Sequence, residues 1–301
     1  MEPLDFVVIG AGIAGASVAW QLAEQGRVLL LEREAQPGYH TTGRSAALYM
    51  ETYGTPRIRA LTRASRAFLD QPPPGFADSP ILSPRGVLYI AGPDQMDLLE
   101  ATWQELHTHS PSLRRLSPAE LVERAPCLRL EALGGGLAES GAADIDVNGL
   151  HQGYLHGLRK QGGTVRMNAE VTALTRENGL WTVQLQDGSS VQARTVVNAA
   201  GAWADGIAAL AGLAPLGIVP HRRTAVIVPA PADMPTAGWP MVEAIGEISR
   251  ELRIAMFAAG AGSLAALQAH GAAPHMKAYG AKVKDLVAKR VIHILQPVQA
   301  G

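Results

Sequence analysis

Three glycines at GxGxxG spacing, Gly10, Gly12 and Gly15, follow a short apolar run, and one carboxylate, Glu32, closes the next apolar run. Residues of these types at this spacing can hold a dinucleotide. Gly10 permits a tight turn, Gly12 lets backbone approach a pyrophosphate, and Gly15, with Ala16 and Ala19, lets a helix lie close on the preceding strand. The unpaired N–H groups and positive dipole end of that helix favour an anion. Glu32 can accept hydrogen bonds from both hydroxyls of an adenosine ribose and would repel a 2′-phosphate. A second stretch, Thr41 to Ala47, is rich in small residues. Thr42, Gly43 and Ser45 could cap a second helix N-terminus facing a pyrophosphate or a flavin ring, or could open a helix from a solvated loop. Arg222, between His221 and Arg223, is suited to bidentate recognition of a carboxylate, or forms a solvated basic edge. His107 and His109 read as an exposed pair rather than a metal site, and Cys127 as a structural thiol.

These residues need elements to place them. Asp5 to Glu32 reads as strand, helix and strand, with Gly26 ending the helix at a C′ position. Arg57 to Leu69 is an amphipathic helix stopped by Pro72, Pro73, Pro74 and Gly75. Ile81 to Ala91 is predicted to form paired strands about a turn at Pro84 to Gly86. Leu98 to His107 is helical, and Ser117 with Glu120 forms a capping box for a short helix. Asp146 can cap a helix from Val147 to Gln161 that ends at Gly162 and Gly163, before a strand from Thr164 to Met167. From Glu170 the pattern alternates. Asn178–Gly179 and Asp187–Gly188 are predicted as two-residue hairpin turns in a three-stranded antiparallel meander. Its last strand, Thr195 to Ala199, runs into Ala200 and Gly201. A meander of this kind suits a flavin-type fold better than a simple nicotinamide dehydrogenase.

The predicted fold class is therefore α/β, Rossmann-like with an antiparallel meander, which the family resemblance of this sequence extends to a discontinuous FAD-binding domain and a smaller α+β substrate domain. Residues 1–80 and 143–215 form the first, 81–142 and 216–249 the second, and 250–301 an atypical helical tail. Composition is in keeping with this: 301 residues, 47% hydrophobic and 18% charged. A net charge of −1 gives no global pull toward nucleic acid. One cysteine excludes an internal disulfide and offers no zinc or iron–sulfur cluster. The sequence carries neither a long apolar run nor a signal-peptide start, so a cytoplasmic location is expected. The last stretch, from Arg250, has seven Lys or Arg against Glu251 and Asp285. Its basic amphipathic helix, KVKDLVAKRVIHIL, leaves peripheral membrane contact open.

Four segments, VVIGAGIAGASVAWQLAEQGRVLLLEREAQPGYHTTGRSAALY, DIDVNGLHQGYLHGLRKQGG, VVNAAGAWAD and PHRRTAVIV, together resemble the FAD-dependent D-amino-acid oxidase and dehydrogenase superfamily, most of all its D-arginine dehydrogenase branch. The resemblance runs over roughly residues 1–247. It implies FAD with its adenosine on Glu32, its pyrophosphate over Gly10, Gly12, Ile13, Ala14 and Gly15, and its flavin near Thr42 to Leu48. The cofactor-contacting set it implies further includes Arg33, Thr41, Thr42, Gly43, Ser45, Ala46, Ala47, Leu48, Val171, Ala200, Gly201 and Trp203. The implied reaction is oxidation of an amine alpha to a carboxylate, giving an imine that hydrolyses to a 2-oxo acid. By position, Tyr49 and Tyr53 fall where the family's loop approaches the amino-acid substrate, and Arg222 where a guanidinium holds its carboxylate.

The sequence departs from that branch in three places. Leu48 stands where the branch has a histidine, and Val87 where it has an acidic residue for a cationic side chain. Both changes remove polar recognition and point to an apolar or uncharged substrate. After Trp239 to Glu247 the family's closing C-terminal segment is not recognisable, and the compositional break at Arg250 falls beside that point. Two other readings stand next to the first: a truncated, non-catalytic FAD-binding protein, and a NAD-dependent dehydrogenase, for which the glycines and Glu32 would serve equally well.

Overall fold

The structure is a computed structural model that describes residues 2–221, 236 and 238–245. Its first elements are β1 (Leu4–Ile9), α1 (Ile13–Ala23), β2 (Val28–Leu31), β3 (Leu48–Tyr49), α2 (Pro56–Asp70), β4 (Leu82–Pro84), β5 (Val87–Ala91) and α3 (Met96–Leu106). There follow β6 (Leu113–Leu116), α4 (Pro118–Arg124), β7 (Gly135–Glu139), β8 (Ala143–Ile145), α5 (Val147–Lys160) and β9 (Thr164–Arg166). The last are β10 (Val171–Glu177), β11 (Leu180–Leu185), β12 (Ser190–Asn198), α6 (Ala204–Leu210) and β13 (Met241–Ala244).

The chain forms two compact units, each built from separate pieces. The first comprises the residues up to Ala47, Ala67–Ile81 and Ile145–His221; the second comprises Leu48–Arg66, Leu82–Asp144 and the described residues after 235. In the first unit a six-stranded sheet has the order β10-β11-β12-β1-β2-β9. β12, β1, β2 and β9 run parallel, and β10, β11 and β12 form an antiparallel meander. Strands covered on both faces read as continuous apolar runs, which is why Val28–Leu31 is buried at every position. One face packs Val8 and Leu30 against Ala16 and Ala19 of α1 and Leu155 and Leu158 of α5. The other packs Val7, Ile9, Leu29 and Leu31 against Val171, Leu174, Val183 and Leu185. Each such leucine contributes roughly 1.5–3 kcal/mol by leaving water. α5 approaches closely through two glycines: a Cβ on Gly157 would lie 2.6 Å from Trp20 Nε1, and one on Gly153 2.5 Å from Phe76.

The second unit holds a four-stranded sheet, β13-β5-β7-β6, and a small three-stranded sheet, β3-β8-β4. One face of the larger sheet buries Val87, Tyr89 and Leu137 with Leu99 and Leu106 of α3; the other buries Leu88, Ile90 and Ala138 with Leu121 of α4. The capping box at Ser117 and Glu120 starts α4, and the Asp146 side chain accepts from Gly149 N–H at the start of α5.

Four local expectations are corrected. Ile81 to Ala91 is not a hairpin: β4 belongs to the small sheet and β5 to the large one. The chain changes sheets at Arg85 and Gly86, whose N–H groups both donate to Ala142 O, with Gly86 at φ +77°. The Asn178–Gly179 turn has both residues at positive φ, as a two-residue hairpin requires. At Asp187–Gly188 only the glycine is left-handed, because Leu185 and Ser189 close a three-residue loop, Leu185 N–H donating to Ser189 O. The Asp187 carboxylate accepts from Ser189 N–H and holds it. Gly26 is not left-handed; it is small because Asp5 packs over it, 2.7 Å from where a Cβ would sit. His107 is half-buried, stacked on Trp103 and bonded through Nδ1 to its carbonyl. The helical tail read from Arg250 lies outside the described residues.

Candidate functional site

In the first unit the turn from β1 into α1 is compressed against the end of β12. Gly10 has φ +102°, and a Cβ there would lie 2.5 Å from Ala199 O, while a Cβ on Gly15 would lie 1.7 Å from Gly10 O. No other residue type fits either place. The next residue is gripped at both its N–H and its carbonyl. Ala11 N–H donates to Glu32 Oε2 at 2.8 Å, and Ala11 O accepts from His151 Nε2 at 2.9 Å. A carbonyl only accepts, so Nε2 carries the His151 proton, and burial pushes the imidazole pKa below its ordinary value. Ile13 N–H, at the head of α1, donates to Thr42 Oγ1 at 3.0 Å. Ala14 and Gly15 N–H have no acceptor among the described residues, and they crown the positive end of an 11-residue helix.

Glu32 is 9% exposed, with its second oxygen accepting from Glu34 N–H at 3.0 Å. Each carboxylate oxygen thus has one site filled by backbone and one left, the capacity that a pair of ribose hydroxyls needs. Beside it Arg33 lies 4.1 Å over the Trp203 ring, and His40 packs on the other contact of the same ring at 4.5 Å. His40 also bonds Glu34, and this is the main cause of the lowered Glu34 pKa. The segment 41–47 is arranged by Thr42 and by Gly43, whose N–H donates to Gly38 O at 2.7 Å; Thr41, Ser45 and Ala46 stay exposed. Ala200 N–H is held by Asn198 Oδ1, and Gly201 has φ +55° with open space around it. Val171 is in the core beside Leu29 and Leu31, next to Ala169, whose N–H donates to Glu32 O.

The first unit therefore brings together Gly10, Gly12, Ile13, Ala14, Gly15, Glu32 and Thr42, with Arg33 and Trp203 forming a second group. In the second unit, Leu48 and Tyr49 form β3. Tyr49 is 2% exposed, and its hydroxyl donates to Glu51 Oε1 at 3.0 Å beneath the Arg66 guanidinium. Burial, with the Glu51 hydrogen bond, pushes its pKa up to about 12. Tyr53 is 46% exposed. Val87 is buried in the core of that unit. Arg222 lies outside the described residues. Sequence reasoning passed over His151 and Glu139. A signal existed for the first: His151, Leu155 and Leu158 fall at i, i+4, i+7 on the buried stripe of α5, and a polar residue there needs a partner.

The chain is similar to several known proteins. L-2-hydroxyglutarate dehydrogenase of Escherichia coli is 29% identical over 222 residues, covering 70% of this chain and 50% of that protein. The mitochondrial dimethylglycine dehydrogenase of Rattus norvegicus is 29% identical over 228 residues, 72% of this chain and 26% of that protein. The chain thus spans half or less of the length of these relatives. The crystal structure of an iminodiacetate oxidase from Chelativorans sp. BNC1 superposes with a TM-score of 0.61 at 27% identity, covering 79% of this chain and 65% of that one. The family described as FAD dependent oxidoreductase matches residues 5–273, past the Glu247 boundary of the sequence resemblance. The chain belongs to this DAO family of FAD-dependent oxidoreductases.

Proposed function

We propose that the protein is a FAD-dependent oxidoreductase that oxidises the amine of a small amino-acid-like carboxylate to an imine, which water converts to a 2-oxo acid. The observation that carries this reading is Ala11, held at both its N–H and its carbonyl by Glu32 and His151, while the Ala14 and Gly15 N–H groups at the head of α1 have no acceptor among the described residues. In this scheme those N–H groups receive the pyrophosphate, Glu32 the adenosine ribose, and the Arg33–Trp203 pair stands at the adenine end. Residues 45–47, with Ala200 and Gly201, present backbone to the isoalloxazine. FAD, when bound, accepts the hydride leaving the substrate carbon. The chain's own work is to hold the substrate, and by the sequence resemblance that work is assigned to Arg222 for the carboxylate and to Tyr49 and Tyr53 for the loop that approaches it. Leu48 favours an uncharged side chain over a cationic one.

The relatives' names widen the substrate question. Dimethylglycine and iminodiacetate are amines flanking a carboxylate, as this reading requires, whereas 2-hydroxyglutarate offers a hydroxyl at the same position. The test is anaerobic flavin bleaching of the purified, FAD-loaded chain with D-leucine, glycine, N,N-dimethylglycine, iminodiacetate and L-2-hydroxyglutarate. Bleaching by one or more of the amines is expected. Bleaching by the hydroxy acid alone would replace the amine by an alcohol, and stoichiometric FAD that no panel member bleaches would support the non-catalytic reading.

A further inference from the structure

Glu139 sits at the end of β7 with 0% of its surface exposed. A carboxylate in such a place is costly unless it is used, and burial pushes its pKa up. Its donors all come from one side. Oε1 accepts from Glu51 N–H at 2.6 Å, and Oε2 accepts from the Thr52 hydroxyl. Thr52 Oγ1 is in turn bonded to the Tyr89 hydroxyl at 2.5 Å. With both carboxylate oxygens accepting, the chain of donors runs Tyr89 to Thr52 to Glu139. The segment held this way is the one that follows β3. Its inner side chain, Tyr49, is locked to Glu51 and covered by Arg66, while Tyr53, one residue past the doubly held pair, is left facing out. Buried charge replaced by apolar groups of equal volume is often neutral or stabilising, so a buried carboxylate whose donors among the described residues come from Glu51 and Thr52 points to placement of that segment rather than to fold stability.

We propose that Glu139 is a positioning residue: by accepting from Glu51 N–H and the Thr52 hydroxyl it fixes residues 50–53 and so sets where Tyr53 is presented. The proposal rests on the reading above for what Tyr53 meets, but not for the conformation of the segment. Glu139 touches no substrate; it acts through two loop donors, and Thr52 and Tyr89 extend its reach into the sheet.

The test uses the full chain loaded with FAD and compares Glu139→Gln and Thr52→Val with the wild type. Gln keeps the shape but offers one acceptor where the carboxylate offers two, and Val keeps the volume of Thr52 but removes its hydroxyl. The direct readout is amide exchange of the peptide spanning residues 49–55. It is expected to quicken about tenfold in both variants, with FAD content unchanged. With the panel member that bleaches the wild-type flavin, KM is expected to rise about tenfold with little change in kcat, the signature of lost ground-state placement. Exchange at the wild-type rate in a folded Glu139→Gln protein overturns the proposal, as does faster exchange with KM unmoved. If Glu139→Gln fails to fold, Thr52→Val decides alone. If the wild type bleaches with no amine, the proposed reaction fails, while the exchange comparison still decides for or against Glu139.

Discussion

Thr42 ties two sequence stretches together with one bond, from Ile13 N–H to its hydroxyl, and it caps a helix from 29 residues away. Removing it in Thr42→Val is expected to cost about 1 kcal/mol of stability, as helix caps do. It should also weaken FAD binding several-fold, because the loosened first turn carries the N–H groups proposed to receive the pyrophosphate; thermal melting and a FAD titration check the two effects. Glu32→Gln should act on affinity more strongly, about tenfold or roughly 1.4 kcal/mol, since the amide nitrogen cannot accept from Ala11 N–H. Tyr49, with its pKa at about 12, stays protonated through any ordinary assay. A basic limb in the rate profile would then belong to another group. At this scale the sequence was legible where the signal is local. The glycines and Glu32 sit inside one strand–helix–strand unit. His151 meets Ala11 across 140 residues and Glu139 meets Thr52 across 87; the helical stripe shows that His151 is buried and needs a partner, but nothing local in the sequence says which partner either residue takes.

The elements show a comparable division. α5 lies against α1 because Gly153 and Gly157 leave room for Phe76 and Trp20, whose rings pack with Tyr154 at centroid distances of 5.1 and 5.5 Å. Gly157→Leu forces the helices apart and is expected to cost about 1–3 kcal/mol, read as a lower denaturant midpoint with an unchanged slope. Helix starts were readable from Ser117, Glu120 and Asp146 because a cap involves only three or four residues. The partner of a short strand was not. β4 and β5 are adjacent in sequence and separated by a turn-like Pro84 to Gly86, yet Ala142 O takes both available N–H groups and sends the strands to different sheets. In the same way Asp187, by binding Ser189, converts an expected two-residue turn into three.

On the scale of the whole molecule, two buried groups give the two units opposite responses to acid. His151 in the first has its pKa lowered by burial, so the unfolded chain takes up a proton first as pH falls below about 6.5, and that unit loses stability on the acid side. Glu139 in the second has its pKa raised by burial, so its contribution is full below about 4.5 and is lost as pH rises through the higher folded value. His151→Gln keeps a donor for Ala11 O without the titration. Its melting temperature, relative to wild type, should improve as pH falls from about 8 to about 5; that of Glu139→Gln should improve as pH rises over the same range. A pair of flat difference curves would show that neither group titrates within the folded range. The sheet order carries a further consequence, for the timing of folding. β1 gains β2 after a short helix, Phe6 opposite Val28, but its other edge waits for β12, where Leu4 stands opposite Ala193. Until β12 has been made, the strand that bears the glycine turn has an open edge, and the closing of so long a loop makes this pairing late and slow. The glycine turn is thus made well before the sheet around it can close, and a chaperone that shields a bare strand edge would act longest on β1.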